Sequence, residues 1–379
     1  MRGKVLVACG VALATPALPQ SVTILHDFVG GGGSSDMSLV EGISAGVQVG
    51  YYTYWDPVLP QGVGEPVAWF GTAKSRISLT PKGVEAAHVF GTNNGRHVGM
   101  VNVESFFQWA TLWTGNGVET VDLHVDSIGG ATLHSTRAEG IWGNQQVGYG
   151  SGGAGVGDRA ILWNGTAASA TSLHPSHLGF IASQATATDG TQQVGWGRTD
   201  DLPRALLWAG IAATAVDLTP ANALFAEALG VFGGSQVGRA HIDGTTRAAL
   251  WNGTATSFID LHPEGAFSSK IVASNGVWHV GSVSRNAGPG RLDDEHAVAW
   301  NAVTLEMIDL HTLLPAGFQV TPSWATSIDE MGNIGGVATS SGTSVYNERA
   351  VIWTVPEPTT IVSLSAATLG LIILRRRKR

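Results

Sequence analysis

Cysteine is all but missing from this chain of 379 residues: Cys9 is its single example. No intrachain disulfide can brace the fold, and no thiolate-rich metal site can form. Charge is also sparse, at 13% of residues. Positive charge is the scarcer sign, with 21 Lys and Arg against 29 Asp and Glu. Arg2, Lys4 and the run Arg375, Arg376, Arg377, Lys378, Arg379 take several of those cations to the two ends, so the middle is strongly acidic. An acidic body opposes binding to nucleic acid, whose phosphates need a basic surface. No long stretch shows the three-and-four spacing of an amphipathic helix, which argues against a helical bundle. Motifs with a fixed chemistry are missing too: there is no GxSxG, HExxH, P-loop or EF-hand loop. No cofactor, no metal and no catalytic residue is therefore expected.

What is present is short apolar runs broken by Gly, Asn and Asp, the pattern of many short strands. Three markers recur along them. "ALW"-like phrases end at Trp69, Trp113, Trp163, Trp208, Trp251, Trp300 and Trp353. "QVG"-like phrases end at Gly50, Gly99, Gly148, Gly195, Gly238, Gly281 and Gly336. "DLH"-like phrases centre on Leu79, Leu123, Leu173, Leu218, Leu261 and Leu310, one fewer than the others, because the chain turns to "VPEPTT" after Trp353. The missing copy is at the front, in "VTILHDF", with Leu25 and His26 in the matching places. A linear solenoid has no use for that arrangement. A ring does, because a strand from the front completes the last unit and leaves no edge open. Each unit reads as four strands, as in "FIASQATA", "TQQVGWG", "RALLW" and "TAVDLT". Asn94-Gly95, Asp189-Gly190, Gly233-Gly234 and Asn275-Gly276 suit the tight turn between the first two. The expectation is an all-β chain: a seven-bladed β-propeller over 21–354, closed by an N-terminal strand.

The two ends read differently. Residues 1–20 have a basic start, an apolar run and small residues, as in a cleavable signal peptide. "LVAC" matches a lipoprotein site by its letters, but the apolar run before Cys9 is too short for one. At the other end, Pro356, Glu357 and Pro358 precede an apolar run from Ile361 to Leu374 and then the basic cluster. This segment, 355–379, resembles the PEP-CTERM sorting signal of exported bacterial proteins. The resemblance implies an exosortase-type processing enzyme as partner, contact with the membrane through the tail before processing, and a mature domain at the cell surface, in the outer envelope or in the extracellular matrix. A plain C-terminal membrane anchor is the alternative. The "RAALW" and "HAVAW" phrases also resemble the HAF-type repeat of extracellular bacterial proteins, with Arg at 159, 204, 247 and 349 where that repeat has His, and only His296 matching.

Candidate functional residues were sought among the recurrent and the variable positions. The marker tryptophans suit packing between blades better than sugar stacking. The histidines of "DLH" (His26, His124, His174, His262, His311) fall in different blades, which suits a repeated hydrogen bond rather than a metal site. "DDEH" at 293–296 reads as a solvated loop, and "WNGT" at Asn164 and Asn252 as a turn. The loops between second and third strands vary most, and such insertions gather on one face. The aromatics Tyr51, Tyr52, Tyr54 and Trp55, with Phe106 and Phe107, are expected to form a patch there for extracellular polysaccharide or a surface protein. Non-catalytic binding is thus the leading expectation. A structural matrix protein without a ligand, and a polysaccharide-acting hydrolase or lyase, stand as alternatives. The last would need paired carboxylates in the central channel, and the sequence alone assigns none.

Overall fold

The computed structural model describes residues 21–355, apart from 27–36, 56–61, 105–106, 118, 154, 200–201, 286–293, 319–321 and 341–346. Signal segment, sorting motif and basic tail lie outside the described residues. Among the described residues no helix is long and apolar enough to cross a membrane.

Seven four-stranded antiparallel sheets form a seven-bladed β-propeller. Blade 4 shows the plan. Its inner strand Ala182–Thr188 pairs with Gln193–Arg198, then Arg204–Trp208, then the short outer strand Val216–Asp217. The last blade holds Ser323–Ile328, Asn333–Ser340 and Asn347–Thr354, and takes its outer strand from Ser21–Ile24. The register is Ser21↔Thr354, Val22↔Trp353, Thr23↔Ile352 and Ile24↔Val351, and Leu25 N–H continues it to Ala350 O at 2.8 Å. The expected closure is present.

The three sequence markers have separate physical causes. Each marker tryptophan is at most 1% exposed and wedges between blades. Trp251, for example, packs with Val194, Ala205 and Leu207 of blade 4 and Ala226 and Ala240 of its own blade. Across the join, Leu25, Ala350 and Ile352 of the last blade pack with Val40, Val67 and Trp69 of the first, so this seam is built like the others.

The marker glycine answers to a bulge. Every inner strand breaks register at the same place, at 40/42, 89/91, 138/140, 185/187, 228/230, 271/273 and 325/327, and the fifth has a second break at 223/225. Beside the bulge the inner-strand backbone leans on the second strand. A Cβ on Gly148 would sit 1.9 Å from Arg137 O, with the same approach at the equivalent positions. Only a residue without a Cβ fits there.

The "DLH" histidine is a latch between blades. In five places its Nδ1 meets a hydroxyl on the next inner strand, and that oxygen also accepts a backbone N–H from the histidine's own blade. The sets are His26–Ser38–Ala350, His124–Thr136–Ala110, His174–Ser183–Ala160, His262–Ser269–Ala248 and His311–Ser323–Ala297, with ring distances of 2.8–3.0 Å. The hydroxyl thus joins two blades through one oxygen, accepting the amide of one and bonding the imidazole, with the donor of that second bond set by the ring's tautomer. Burial, then nearby arginines, lowers His26 and His174 to about 4, which keeps both rings neutral at pH 7.

The turns are also tied down. The side-chain oxygen of Gln48, Gln146, Gln193 and Gln236 accepts from Gly71, Gly165, Gly210 and Gly253 N–H at 2.7–2.9 Å, so the glutamine of "QVG" holds the turn after the tryptophan. Asn164 and Asn252 belong to these turns, as expected. Asn94-Gly95 and Gly233-Gly234 have positive φ at both residues, the two-residue hairpin expected of them. At Asp189-Gly190 and Asn275-Gly276 only the glycine does, and the loop is two residues longer, closed by Asp189 N–H to Gln192 O and Asn275 N–H to Trp278 O.

Candidate functional site: the central channel

A cavity of about 210 Å³ lies on the axis of the ring, lined by the inner strands of all seven blades. The bulges decide what enters it. Each sets one side chain at the channel wall: Glu41, Phe90, Glu139, Thr186, Leu229, Val272 and Thr326. The residue after each is Gly, Ala or Ser, because the next blade's backbone presses there. A Cβ on Gly140 would meet Thr186 O at 2.7 Å, and one on Gly91 would meet Glu139 O at 3.2 Å.

Glu41 and Glu139 thus face one cavity from blades 1 and 3. Arg137 lies beside Glu139, Nε to Oε1 3.1 Å, with its guanidinium over Phe90 at 4.5 Å and over Tyr149 at 5.8 Å. Glu41 has no hydrogen bond or ion pair among the described residues. Burial pushes its carboxyl up to about 7; Glu139 adds to the rise, Arg137 opposes it and Glu348 adds a little more. Burial raises Glu139 as well, and Arg137 opposes. Coulombic coupling through a protein interior is strong at short range, so the charge on Glu139 and the burial of Glu41 act together to disfavour ionisation of Glu41.

The hydroxyls are already engaged. Thr186 Oγ1 donates to Ala228 O at 3.0 Å and Thr326 Oγ1 to Val40 O at 2.6 Å, tying each blade to the next. At the hairpin end of the cavity Trp142 and Phe232 meet edge to face, 5.8 Å between ring centroids.

The predicted aromatic residues do not form one patch. Tyr51, Tyr52, Tyr54 and Trp55 belong to the strand Val47–Trp55, not to a loop, so successive side chains alternate faces. Tyr52 is 2% exposed in the core with Val40 and Trp69, under the Arg76 guanidinium at 3.6 Å. Tyr54 packs on the same cluster. Tyr51 turns the other way and stacks on His88 at 4.9 Å, and His88 in turn stacks on Phe90. Tyr51 is thus one ring removed from the channel-wall residue Phe90, with His88 between them. Phe107 is 39% exposed and rests edge-on against His134. Phe106 and the side chain of Trp55 lie outside what the structure describes. Of "DDEH", His296 pairs with Asp309 at 2.9 Å and Glu295 with Ser282 at 2.6 Å, so these two serve the sheet. Among the described residues no group of three or more His, Cys, Asp or Glu could hold a metal.

Sequence reasoning missed Glu41 and Glu139. Both stand before a glycine in "VEGIS" and "AEGIW", nine positions ahead of their marker glycines Gly50 and Gly148. Alignment of the units on that glycine would have placed them in register. Only the bulge turns them to the axis.

No protein-family model matches the chain, and no curated protein matches it in sequence. Solved structures do share its fold. The β-propeller domain of the Trilobed protease from Pyrococcus furiosus matches with a TM-score of 0.54 at 8% identity, over 85% of this chain and 94% of that one. Puromycin hydrolase matches at 0.57 and 13%, over 84% of this chain. Pyrococcus horikoshii acylaminoacyl peptidase matches at 0.52 and 8%, over 86%. This chain spans about half the length, 52%, of each of those two enzymes. The Trilobed domain is described as having an open velcro topology, whereas here Ser21–Ile24 closes the ring. At such identities the likeness establishes the fold. The expectation of a non-catalytic exopolysaccharide- or partner-binding module is corrected against this finding: the three propellers named here belong to a protease, a hydrolase and a peptidase. Two carboxylates on the channel wall also remove the argument raised against an enzyme, which was that the sequence alone assigns none there.

Proposed function

We propose that this chain is a peptidase-related propeller, the ring component of a peptide-hydrolysing system, whose central channel receives polypeptide. The observation that carries the reading is the axial cavity with two carboxylates on its wall, in a ring whose fold is shared with propellers of peptidases. The chain lacks a nucleophile-elbow motif, so the reading assigns peptide-bond cleavage to a separate hydrolytic unit and substrate reception to the ring. The test is calorimetry of the full chain with short unstructured peptides and, in parallel, with oligosaccharides. Peptide binding that is weakened by substitution at the channel wall supports the reading. Binding of oligosaccharides alone overturns it.

We further infer that the chain is exported, with 1–20 acting as a signal peptide and Pro356, Glu357, Pro358 and the basic tail as a sorting segment read by an exosortase-type enzyme. The support is the three-part order of that segment and the apolar start of the chain. Intact-mass analysis of protein from its native cells should show both ends removed; full-length chain confined to the cytoplasm contradicts this.

A further inference from the structure

At its ring of bulge residues the channel wall offers acceptors and almost no donors, and nearer the hairpin end the hydroxyls of Thr92, Thr188 and Ser274 are engaged with His97, Gln145 and His279, which leaves the Asn93 amide and the Trp142 indole among the donors there. Of its seven bulge residues three are apolar: Phe90, Leu229 and Val272. The two threonine hydroxyls are spent on backbone carbonyls. What remains is the oxygens of Glu41 and Glu139 and one guanidinium, that of Arg137, already held beside Glu139 and over Phe90. An anion would find two like charges. A sugar hydroxyl, which both donates and accepts, would find half of what it needs. A cation with several N–H donors fits. A buried carboxylate with no partner is costly, so a donor cation brought to Glu41 recovers that loss.

From this geometry we propose that the cavity binds a primary ammonium group of a polypeptide, a lysine side chain or a free α-amine, on the oxygens of Glu41 and Glu139. The assignment rests on the peptide-receiving role proposed above and names what that role recognises. Size agrees. A cavity of about 210 Å³ has room for one side chain or one chain end. The edge-to-face pair Trp142 and Phe232 lies at its hairpin end. Shape and charge both suit an aliphatic stem with an ammonium tip. A divalent cation fits less well, because two carboxylates supply fewer ligands than calcium takes.

Charge linkage follows. The charged groups around Glu41 are Glu139, Arg137 and Glu348, with Glu330 also on the cavity wall. Since burial holds Glu41 near 7, it is partly protonated at neutral pH, and an arriving ammonium expels that proton. Affinity should therefore rise from pH 6 to pH 8, and binding should release protons.

The experiment uses the full chain and n-butylammonium as probe. Glutamate side-chain carboxyls are followed by carbon NMR, with the Glu41 signal identified by its loss in Glu41→Gln. The expected result is a saturable shift of that signal, proton release in calorimetry, and at least tenfold weaker binding in Glu41→Gln. Phe107→Ala, far from the carboxylates in sequence role and exposed, should bind as the parent does. Three peptides then separate the sources: one with a free α-amine and no lysine, the same peptide acetylated, and an acetylated peptide with one lysine. Butylammonium that shifts no channel glutamate, or binds equally well to Glu41→Gln, overturns the assignment. So does calcium that occupies the site while butylammonium does not. If butylammonium binds through Glu41 and none of the peptides does, the ammonium site stands and the peptide-receiving role falls.

Discussion

Glu41 loses water without gaining a cation, and its contribution to stability has a definite sign. Its folded value of about 7 lies above the ordinary 4.5. Below about 4.5 the carboxyl is neutral in both states, and its contribution is fully present. That contribution is lost as pH rises through 7, because the unfolded chain ionises freely and the folded one does not. Glu41→Gln should raise the melting temperature at pH 8, by a stabilisation of roughly 1–3 kcal/mol, and change little at pH 4.5. Thermal melts at the two pH values check this; equal effects at both would mean that Glu41 is not held neutral. Trp251 is a residue of another kind. It is fully buried between two blades, so Trp251→Ala should cost about 3–5 kcal/mol in chemical denaturation. Phe107→Ala, at a side chain 39% exposed, should stay within about 0.5 kcal/mol.

The latch from one blade to the next has a pH dependence of the opposite sign. Burial lowers the latch residues His26 and His174 to about 4 in the fold, against 6.5 for the free side chain, and does the same to His97 and His279, which bond to Thr92 and Ser274 inside their own hairpins. Their contribution is present above 6.5 and lost as pH falls through 4, since the unfolded chain takes up the protons first. The difference in melting temperature between the parent and His174→Ala should be constant above pH 6.5 and shrink towards pH 4, while the parent's own change above pH 6.5 follows Glu41. A double-mutant cycle on His174→Ala and Ser183→Ala should give a coupling of about 0.5–1.5 kcal/mol, that of one hydrogen bond; no coupling would reduce the latch to a coincidence of position. The marker glycine makes a steric prediction. Gly195→Ala places a Cβ 2.0 Å from Gln184 O, a backbone clash that relaxation of a side chain cannot relieve. Loss of cooperative folding, or a large drop in melting temperature, is expected by circular dichroism. These elements were partly legible in the chain. The recurrence of "QVG", "LW" and "DLH" gave strand count and turn sites, because each unit meets the same neighbours and so repeats the same residues. Why the glycine recurs was not legible, since its cause is a carbonyl on the neighbouring strand, at Arg137 for Gly148.

At the scale of the ring, closure is the stabilising device. Removal of Ser21–His26 would uncover the strand Asn347–Thr354, expose the site of fully buried Leu25 and break the His26 latch to Ser38. A chain starting at Asp27 should be less stable than one starting at Ser21 by about 3 kcal/mol or more, given that burial of a leucine alone contributes about 1.5–3 kcal/mol. Hydrogen exchange should show the loss first at the amides of Val351 to Thr354. Equal protection in the two chains would mean that the strand decorates a ring already closed. The sequence by itself determined the class, the number of blades and the seam, because seven tryptophans, seven glycines and six-plus-one leucines are a count that only a closed ring satisfies. It also determined that the aromatics and histidines of the repeat are structural, since a residue required in every unit serves the contact every unit makes. Only the tertiary structure decided which residues meet on the axis. Tyr51 to Trp55 read as a loop and are a strand, so alternation sends Tyr52 into the core and Tyr51 the other way, onto His88. Glu41 and Glu139 are far apart in the chain and ordinary in composition. They become a pair because a bulge in each of two inner strands turns both carboxylates to one shared axis, and convergence of seven strands on an axis is a property of the ring, not of any unit in it.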